Sequence, residues 1–336
     1  METLENAYIF PAMRYRIKPN CSIPDWFFNM TTATFSVAIL ASDNMMPGAT
    51  EARSDQFELE EQMGKLRPAF ESEGLSVELI PWRGASERAE EFDAMLPLFV
   101  WDYFEGNEAT FLSEMAKIDS RTKLYNGFDI LKWNSNKSYL EEMAREGAPV
   151  IRTLHVERAT ERAVNAAFET LDTDTLVIKP QIGGGAWRQA LYTKGDPFPV
   201  KDQLPPDAAM IQAFLPSVKS EGEYSFLYFG GKFSHAVIKK PKAGDYRIQS
   251  IYGGREEAYM PTTQERETAR NILNNLDFTP LYARIDLLRG QDDGLKLIEM
   301  EMIEPYLYLK LAGGEGGENK GAKTFAAALA KRLNRA

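Results

Sequence analysis

Apolar positions along the chain repeat with two different periods, and this predicts strands that alternate with helices. Thr34–Leu40 and Leu75–Pro81 are short apolar runs typical of buried strands, and Ala94–Phe104 contains a third. Glu51–Phe70 has apolar residues near helical spacing, and Asn107–Asp119 predicts another helix. Strands and helices joined by short links predict a small parallel α/β layer.

The rest of the chain predicts hairpins and further helices. Glu223–Phe229 and Lys232–Lys239 flank Gly230-Gly231, a strong signal for a two-residue turn. Tyr282–Tyr306 predicts a second hairpin, interrupted by a polar turn. Helical spacing predicts helices at Ala159–Leu171, Thr262–Asn275 and Ala322–Leu333, and a further helix begins at Asn134, Ser135 or Asn136.

The second hairpin carries several charges on one face. Because strand side chains alternate, Arg284 and Asp286 share a face of the first arm, and Glu299 and Glu301 share a face of the second. A four-residue loop at Gln291–Gly294 would place Asp286 opposite Glu299 and Arg284 opposite Glu301. Unpaired carboxylates there are costly, and oxygen ligands suit Mg²⁺ held against substrate phosphates. The alternative is an edge hairpin whose polar face meets water.

Two lysines and a glycine run suggest an anion site. Lys137 falls in the first turn of a predicted helix, where a cation opposes the helix dipole, so it points to an external anion or is an exposed helix lysine. Thr175–Lys179 predicts a strand that leads through Pro180 into Gly183-Gly184-Gly185, whose open N–H groups suit phosphate oxygens. This spacing differs from that of a P-loop.

Other polar residues have ordinary interpretations. Asp43 and Asn44 end the first predicted strand, where open α/β sheets tend to bind ligands, although helix capping is the preferred interpretation. The segment 101–103 ends another strand in the same way. His155 and His235 have no metal-ligand partner nearby in sequence, and we interpret both as ordinary strand residues.

Composition narrows the function classes. The chain has 336 residues, enough for two or three lobes, and a formal charge of −10, which disfavours a nucleic-acid partner. Cys21 is the single cysteine, so a reducing cytoplasm is expected. No apolar run reaches the ~20 residues of a membrane span, so no membrane partner is expected.

The predicted domains are an N-terminal extension or arm at 1–29, an α/β domain at 30–133, a central subdomain at 134–207 and a C-terminal subdomain at 208–336. These limits follow the predicted elements.

The motifs taken together resemble the ATP-grasp superfamily from about Asn134 to Tyr306. They are Lys137, Lys179-Pro with the glycine flap, the linker Ala-Phe-Leu, Tyr-Ala-Arg-Ile-Asp and Ile-Glu-Met-Glu. Within that superfamily the chain is similar to the glutathione-synthetase-like and ribosomal-protein glutamate ligase branch. It especially resembles the group containing the cyclo-ligase of cycloserine synthesis. The resemblance implies a parallel α/β N-terminal lobe followed by two α+β lobes that sandwich ATP.

The resemblance also implies roles for residues. It implies that Lys137 and Lys179 contact the phosphates under the flap Gly183, Gly184, Gly185 and Ala186, that Gln212, Ala213, Phe214 and Leu215 meet the adenine, and that Glu223 holds the ribose hydroxyls. Asp286, Glu299 and Glu301 would carry two Mg²⁺ ions, for which Mn²⁺ can substitute. The family usually has asparagine at the position of Glu301. Lys240 and Arg247 would neutralise the transferring phosphate, and Arg284 would stabilise an oxyanion.

The implied activity is that of an ATP-dependent carboxylate–amine ligase. ATP would convert a carboxylate into an acyl phosphate, which an amine then attacks. The implied partners are a small-molecule carboxylate, a small-molecule amine and a second copy of the chain. The alternatives are an intramolecular cyclo-ligase and an ATP-binding protein without catalysis.

Overall fold

The computed structural model describes residues 35–248, 253–314 and 318–334, which contain three β-sheets in chain order. The predicted arm, residues 1–29, lies outside these ranges. The predicted domain boundaries near 133 and 207 stay predictions. No helix within the described ranges has the length and apolar character needed to cross a membrane.

The first sheet, here the N-terminal sheet, is a parallel layer. Its elements are β1 (Phe35–Ala41), α1 (Phe57–Ser72), β2 (Leu75–Pro81), β3 (Ala94–Phe99), α2 (Glu108–Asp119) and β4 (Lys123–Leu124). The strand order is β2-β1-β3-β4, and each neighbouring pair is parallel. Val37 and Ile39 pack in a core shared with α1, whereas Ala38 and Leu40 pack in a core shared with α2. Burial on both faces explains the continuous apolar run, and the predicted parallel layer is confirmed.

The second sheet, here the central sheet, is antiparallel. The chain reaches it through α3 (Phe128–Asn134) and α4 (Tyr139–Arg145), and its own elements are β5 (Thr153–Val156), α5 (Glu161–Leu171), β6 (Thr175–Pro180), β7 (Ala190–Thr193) and β8 (Ala209–Ala213). The strand order is β5-β8-β6-β7. Phe168 and Leu171 of α5 pack with Leu176 and Ile178 of β6. Since strand residues alternate, Lys179 faces the opposite side.

The third sheet, here the C-terminal sheet, is also antiparallel. Its elements are α6 (Ser217–Ser220), β9 (Glu223–Phe229), β10 (Lys232–Lys240), β11 (Arg255–Tyr259), α7 (Thr263–Asn274), β12 (Tyr282–Arg289), β13 (Leu295–Glu301) and α8 (Lys320–Leu333). The strand order is β11-β10-β9-β12-β13. Gly230 and Gly231 have φ values of 56° and 76°, as the two-residue turn requires. Both predicted hairpins are confirmed, while β11 was not predicted.

Helix α8 joins the N-terminal and C-terminal sheets. Phe325 stacks on Phe229 of β9 at 4.8 Å between ring centroids and meets Phe70 of α1 edge-on at 5.4 Å. Tyr282 of β12 contacts the same ring at 5.6 Å. One aromatic side chain therefore packs against elements of both sheets.

The predicted helix near Lys137 exists, but its predicted start at Asn134, Ser135 or Asn136 is wrong. Helix α3 ends at Asn134 and α4 begins at Tyr139, so Lys137 lies in the link between them. The Asn134 side chain does not cap a helix there. It bonds the main chain of Met300 and Met302 across to the second hairpin, at 2.7 and 2.8 Å. The helix-dipole argument for Lys137 therefore fails, although its amine still reaches the cleft described below.

His235 of β10 gives a pH-dependent contribution to stability. Its imidazole is buried and bonds Ser234 and the Leu307 carbonyl. Burial lowers the pKa of His235 to about 4, against 6.5 for a free imidazole. As the pH falls from 6.5 towards 4, His235 therefore becomes protonated in the unfolded chain but stays neutral in the folded chain.

We expect this histidine to lower the free energy of unfolding by about 1.4 kcal/mol per pH unit over that window. Urea unfolding of the wild type and His235→Gln at several pH values between 7 and 4.5 measures it. The variant is expected to lose part of the acid sensitivity, and parallel pH curves would contradict the prediction.

Candidate functional site

A cleft with a cavity volume of about 190 Å³ lies between the central and C-terminal sheets. It is lined by Lys137, Lys179, Gly183, Gly184, Gly185, Ala186, Gln212, Ala213, Phe214, Leu215, Glu223, Arg247, Arg284, Asp286, Glu299 and Glu301, which are all the predicted site residues except Lys240. Among the residues that the structure describes, the ionic side chains of the lining are five cations (Lys137, Lys179, Lys239, Arg247, Arg284) and five acids (Glu223, Glu256, Asp286, Glu299, Glu301). The formal charges of the lining therefore balance.

The hairpin β12–β13 pairs its charged residues as the sequence predicted. Arg284 lies opposite Glu301, and Asp286 lies opposite Glu299. The loop that joins the two strands is one residue longer than predicted. Arg289 pairs with Leu295, which leaves a five-residue loop between them, and a bulge beside Asp286 restores the predicted pairing. The added loop residue and the bulge compensate each other.

Asp286 is held by two cations and a hydroxyl. Arg284 Nη2 lies 2.8 Å from its carboxylate, Lys239 Nζ lies 3.5 Å away, and Ser225 donates a hydrogen bond of 2.5 Å. Burial disfavours the charged carboxylate, but Arg284 and Lys239 outweigh burial and lower the pKa of Asp286. Asp286 is therefore ionised inside an apolar sheet.

Glu299 and Glu301 lie nearer the cleft mouth. Arg284 bonds Glu301, and Lys137 Nζ lies 3.1 Å from Glu299. Burial raises the pKa of Glu301 above its usual range, and Glu299 and Asp286 add to this against the pull of Arg284. Glu301 is thus the carboxylate of this group that most needs a further cation.

The three carboxylates Asp286, Glu299 and Glu301 carry cations in place of a metal ion. Within the described ranges, no group of three or more His, Cys, Asp or Glu side chains is arranged to hold a metal ion as it stands. The reason is visible in the contacts, because Arg284, Lys239 and Lys137 occupy the oxygens of Asp286, Glu301 and Glu299. The donor set of three carboxylates suits a hard divalent cation. The three carboxylates therefore suit Mg²⁺ by their oxygen ligands, provided that the lysine and arginine side chains pair with another anion.

Lys239 occupies the place predicted for Lys240. Its Nζ lies 2.5 Å from Glu223, and the side chain is 4% exposed. Burial disfavours its charge, but Asp286 and Glu223 raise the pKa of Lys239. Lys240 points the other way, to Glu257 at 2.7 Å, and is 45% exposed. The structure therefore does not bring Lys240 into the cleft.

The glycine flap, residues 183–186 between β6 and β7, lies against the first lobe, by which we mean the N-terminal sheet with its helices and connecting segments. A Cβ on Gly183 would lie 2.7 Å from the Pro180 ring, and one on Gly184 would lie 2.9 Å from the Phe104 ring. Gly185 and Ala186 both have a φ of 59°. The Gly183 carbonyl accepts a hydrogen bond from Lys137. Small residues are required here because the flap backbone touches two rings.

The end of the cleft near β8 is more apolar. The segment 212–215 spans the end of β8, where Gln212 pairs with Val177 of β6, and the apolar residues Ile151 and Leu288 also line the cleft. Gln212 donates to Thr153 at 2.9 Å, and the Phe214 N–H donates to the Thr175 carbonyl at 2.9 Å. This end can accept a flat apolar group, while the charged end can accept an anion.

Two polar side chains near the charged end were not predicted for the site. Glu304 follows β13, and burial raises its pKa well above the usual range, with Glu301 adding to the effect. Tyr103, named only as part of a strand end, is buried and has Glu304, Glu299 and Glu301 as electrostatic neighbours. The sequence analysis gave neither residue a role in the site.

The contrast between Lys239 and Lys240 is testable. Lys239→Met removes a buried cation from Glu223 and Asp286, so we expect it to lower the free energy of unfolding by about 3 kcal/mol. Lys240→Met removes an exposed pair and is expected to change it by less than about 1 kcal/mol. Urea unfolding at neutral pH measures both variants. Equal losses for the two would contradict this placement of the lysines.

Comparison with known proteins relates this architecture to one superfamily. The family model described as D-cycloserine synthetase DcsG, N-terminal domain, matches residues 37–126. The chain is similar to cycloserine biosynthesis protein DcsG of Streptomyces lavendulae, with 26% identity over 289 residues, which is 81% of this chain and 93% of the relative.

Solved structures agree on the fold. The crystal structure of D-cycloserine synthetase DcsG matches with a TM-score of 0.75 and 24% identity, over 89% of this chain and 99% of that one. D-Alanine–D-alanine ligase from Bacillus anthracis, complexed with ATP, matches with a TM-score of 0.60 and 14% identity. The match covers 90% of this chain and 98% of that one. The chain therefore has the ATP-grasp fold and is similar in sequence to DcsG.

Proposed function

We propose that this ATP-grasp ligase activates the carboxylate of an amino acid or small peptide-like acid as an acyl phosphate and joins it to an amine. The observation that carries the proposal is the charge-balanced cleft, with cations and carboxylates interleaved at one end and an apolar wall at the other. An ATP molecule has the same polarity, with a flat base at one end and phosphates at the other.

ATP would lie along the cleft. Its adenine would lie along the segment Gln212–Leu215 and meet the main chain of Ala213 and Leu215. Glu223 would hold the ribose hydroxyls. The phosphates would draw Lys137 and Lys179 under the flap, with Arg247 beside them. Phosphoryl transfer mostly needs placement and charge neutralisation, which these side chains supply.

Magnesium fits the same arrangement. If the ATP phosphates pair with the lysine and arginine side chains, the oxygens of Asp286, Glu299 and Glu301 would be free to bind two Mg²⁺ ions. These ions would neutralise phosphate charge while the substrate carboxylate attacks. Mn²⁺ has similar oxygen chemistry and would substitute.

The chemistry then needs two transfers. A substrate carboxylate oxygen bonds to the γ-phosphorus as the bond to ADP breaks. The amine nitrogen next bonds to the acyl carbon, and inorganic phosphate leaves with the oxygen and takes up the proton that the amine releases. Arg284 is the fixed donor nearest the carboxylates and would stabilise the oxyanion between these steps. The closed flap would keep water from the acyl phosphate.

An intramolecular version of the reaction is the second candidate. It is favoured by the similarity to proteins named for cycloserine biosynthesis. In that case one molecule carries both the carboxylate and the nucleophile, and ADP release needs no added amine. A nucleotide-binding protein without catalysis is disfavoured, because it has less use for the full set of buried cations and carboxylates.

The remaining expectations belong to the same proposal. Substrates would be small molecules, a homodimer is expected from the family resemblance, and the single cysteine agrees with a reducing cytoplasm. Size-exclusion chromatography with light scattering tests the dimer.

An ADP-release screen tests the proposed reaction. Each amino acid or small carboxylate is mixed with ATP, Mg²⁺ and hydroxylamine, which is small, mostly uncharged at neutral pH and converts acyl phosphates into hydroxamates. We expect at least one acid to give ADP and hydroxamate in equal amounts. ADP without hydroxamate, or no ADP from any acid, would contradict the proposed function.

Glu299→Gln is the decisive variant within that screen. It removes a carboxylate charge that the proposed metal site needs, so ADP release should fall by more than about 100-fold. Glu299 is partly exposed, so the fold should persist by circular dichroism. Glu257→Gln, outside the cleft, is the matched control and should keep full activity.

A further inference from the structure

Tyr308 has a backbone conformation that residues with bulky side chains rarely adopt. Its φ and ψ are 47° and 36°, in the left-handed region. The residues on either side are fixed by other contacts. The Leu307 N–H donates to Gln62 Oε1 at 2.6 Å. The Leu309 carbonyl accepts a hydrogen bond of 2.5 Å from Asn319 Nδ2. Strained backbone persists only where its surroundings enforce it, and it is concentrated at functional sites.

The Tyr308 ring contacts two buried cations of the cleft. Tyr308 lines the cleft together with Arg284 and Lys239. Its ring centroid lies 5.6 Å from Arg284 Cζ and 5.9 Å from Lys239 Nζ. These two cationic side chains are 8% and 4% exposed. A cation within about 6 Å of the face of an aromatic ring is attracted to it, more strongly where water is excluded. The ring therefore stabilises both cations at the charged end of the cleft.

The same segment reaches Arg284 through a second contact. The Tyr306 carbonyl accepts a hydrogen bond of 3.3 Å from Arg284 Nη1, and the Tyr306 ring meets the Tyr308 ring edge-on at 4.7 Å. Tyr306 is itself tied to the first lobe, because its hydroxyl donates to Glu61 of α1 at 2.7 Å. The segment 306–308 thus holds the guanidinium through two groups that carry no charge.

These uncharged partners differ from the carboxylates in what else they can bind. Arg284 also pairs with Asp286 and Glu301. Lys239 also pairs with Glu223 and Asp286. Under the proposed function some of these carboxylates bind Mg²⁺, which takes oxygen ligands, whereas the face of an aromatic ring offers no oxygen. The ring can therefore keep its contact with both cations when their carboxylate partners bind a metal ion.

We propose that Tyr308 is a positioning residue, whose ring holds Arg284 and Lys239 at the charged end of the cleft during the reaction. Arg284 is the proposed donor to the oxyanion, so its position bears on the rate of acyl transfer. This role rests on the proposed function and adds to it a residue that acts through two cations. The phenol hydroxyl has no part in the role, so an unsubstituted ring should suffice.

The test changes the charge distribution of the ring while keeping its shape. Tyr308→Phe keeps a ring face that attracts cations, whereas pentafluorophenylalanine at the same position has a face that repels them. The measured quantity is kcat for hydroxamate formation. We expect Tyr308→Phe to stay within about 2-fold of the wild type and pentafluorophenylalanine to lower kcat about 10-fold.

Tyr224 provides the matched control for both replacements. It is a buried tyrosine whose ring centroid lies 5.5 Å from Arg289 Cζ, and neither residue lines the cleft. Phenylalanine and pentafluorophenylalanine at position 224 change the same kind of contact away from the proposed reaction. Both should leave kcat within about 2-fold of the wild type.

Urea unfolding without ATP and metal measures the contact independently of the reaction. Exchange of phenylalanine for pentafluorophenylalanine at position 308 should lower the urea midpoint. In the Lys239→Met background the drop should be about half as large, because Arg284 alone is left beside the ring. At position 224 the exchange should shift the midpoint equally in both backgrounds.

The outcomes separate this role from the proposed function. Wild-type kcat with pentafluorophenylalanine at position 308 overturns the role while the proposed function stands. An equal loss in Tyr308→Phe also overturns it, because the hydroxyl and not the ring would then act. A drop of the urea midpoint that Lys239→Met leaves unchanged is a third contradiction, because the ring would then not hold the lysine. Absence of ADP release by the wild type with every acid defeats the proposed function, and the unfolding measurements still test the contact of the ring with the cations.

Discussion

The ion pairs among Arg284, Asp286 and Lys239 are the constraint on which the cleft depends. All three side chains are buried in the C-terminal sheet, and removing such charges from water costs several kcal/mol each unless the geometry of the pairs is good. The three neighbouring strands β10, β9 and β12 supply that geometry. Their backbone pairing fixes the side-chain positions, and Ser225 completes the hydrogen bonding of Asp286. An apolar sheet can then carry an ionised carboxylate at its centre.

Most of the fold was predictable because it follows from local patterns. Continuous apolar runs indicated the parallel strands of the N-terminal sheet, and Gly230-Gly231 located one hairpin. Alternation along β12 and β13 predicted which charged residues share a face, whereas the opposition of Asp286 to Glu299 was predicted correctly only because the longer loop and the bulge compensate each other. The predicted start of the helix near Lys137 failed for a different reason. Asn134 resembles a capping residue, but its amide is used across the fold on the main chain of Met300 and Met302, and no local pattern records such a long-range partner.

A β-bulge determines which of the adjacent residues Lys239 and Lys240 faces Glu223. A regular hairpin closed by Gly230-Gly231 would place Ile238 opposite Glu223, and Lys240, two residues on, would share that face. Instead the register shifts between Phe233 and His235, so Lys239 lies opposite Glu223. One extra residue turns the following side chains to the other face of the sheet. A bulge has no reliable sequence signal, so strand alternation alone cannot choose between adjacent lysines.

The same contacts determine which side of the cleft is fixed. Asn126 bonds the carbonyls of Tyr282 and Met302, and Trp101 bonds that of Glu304, so the carboxylate hairpin is tied to the first lobe by buried hydrogen bonds. The flap meets that lobe through van der Waals contact between Gly184 and the Phe104 ring. Separating such a contact costs less than leaving buried amides unpaired. Opening of the cleft is therefore least costly at the flap, while the carboxylates keep their positions.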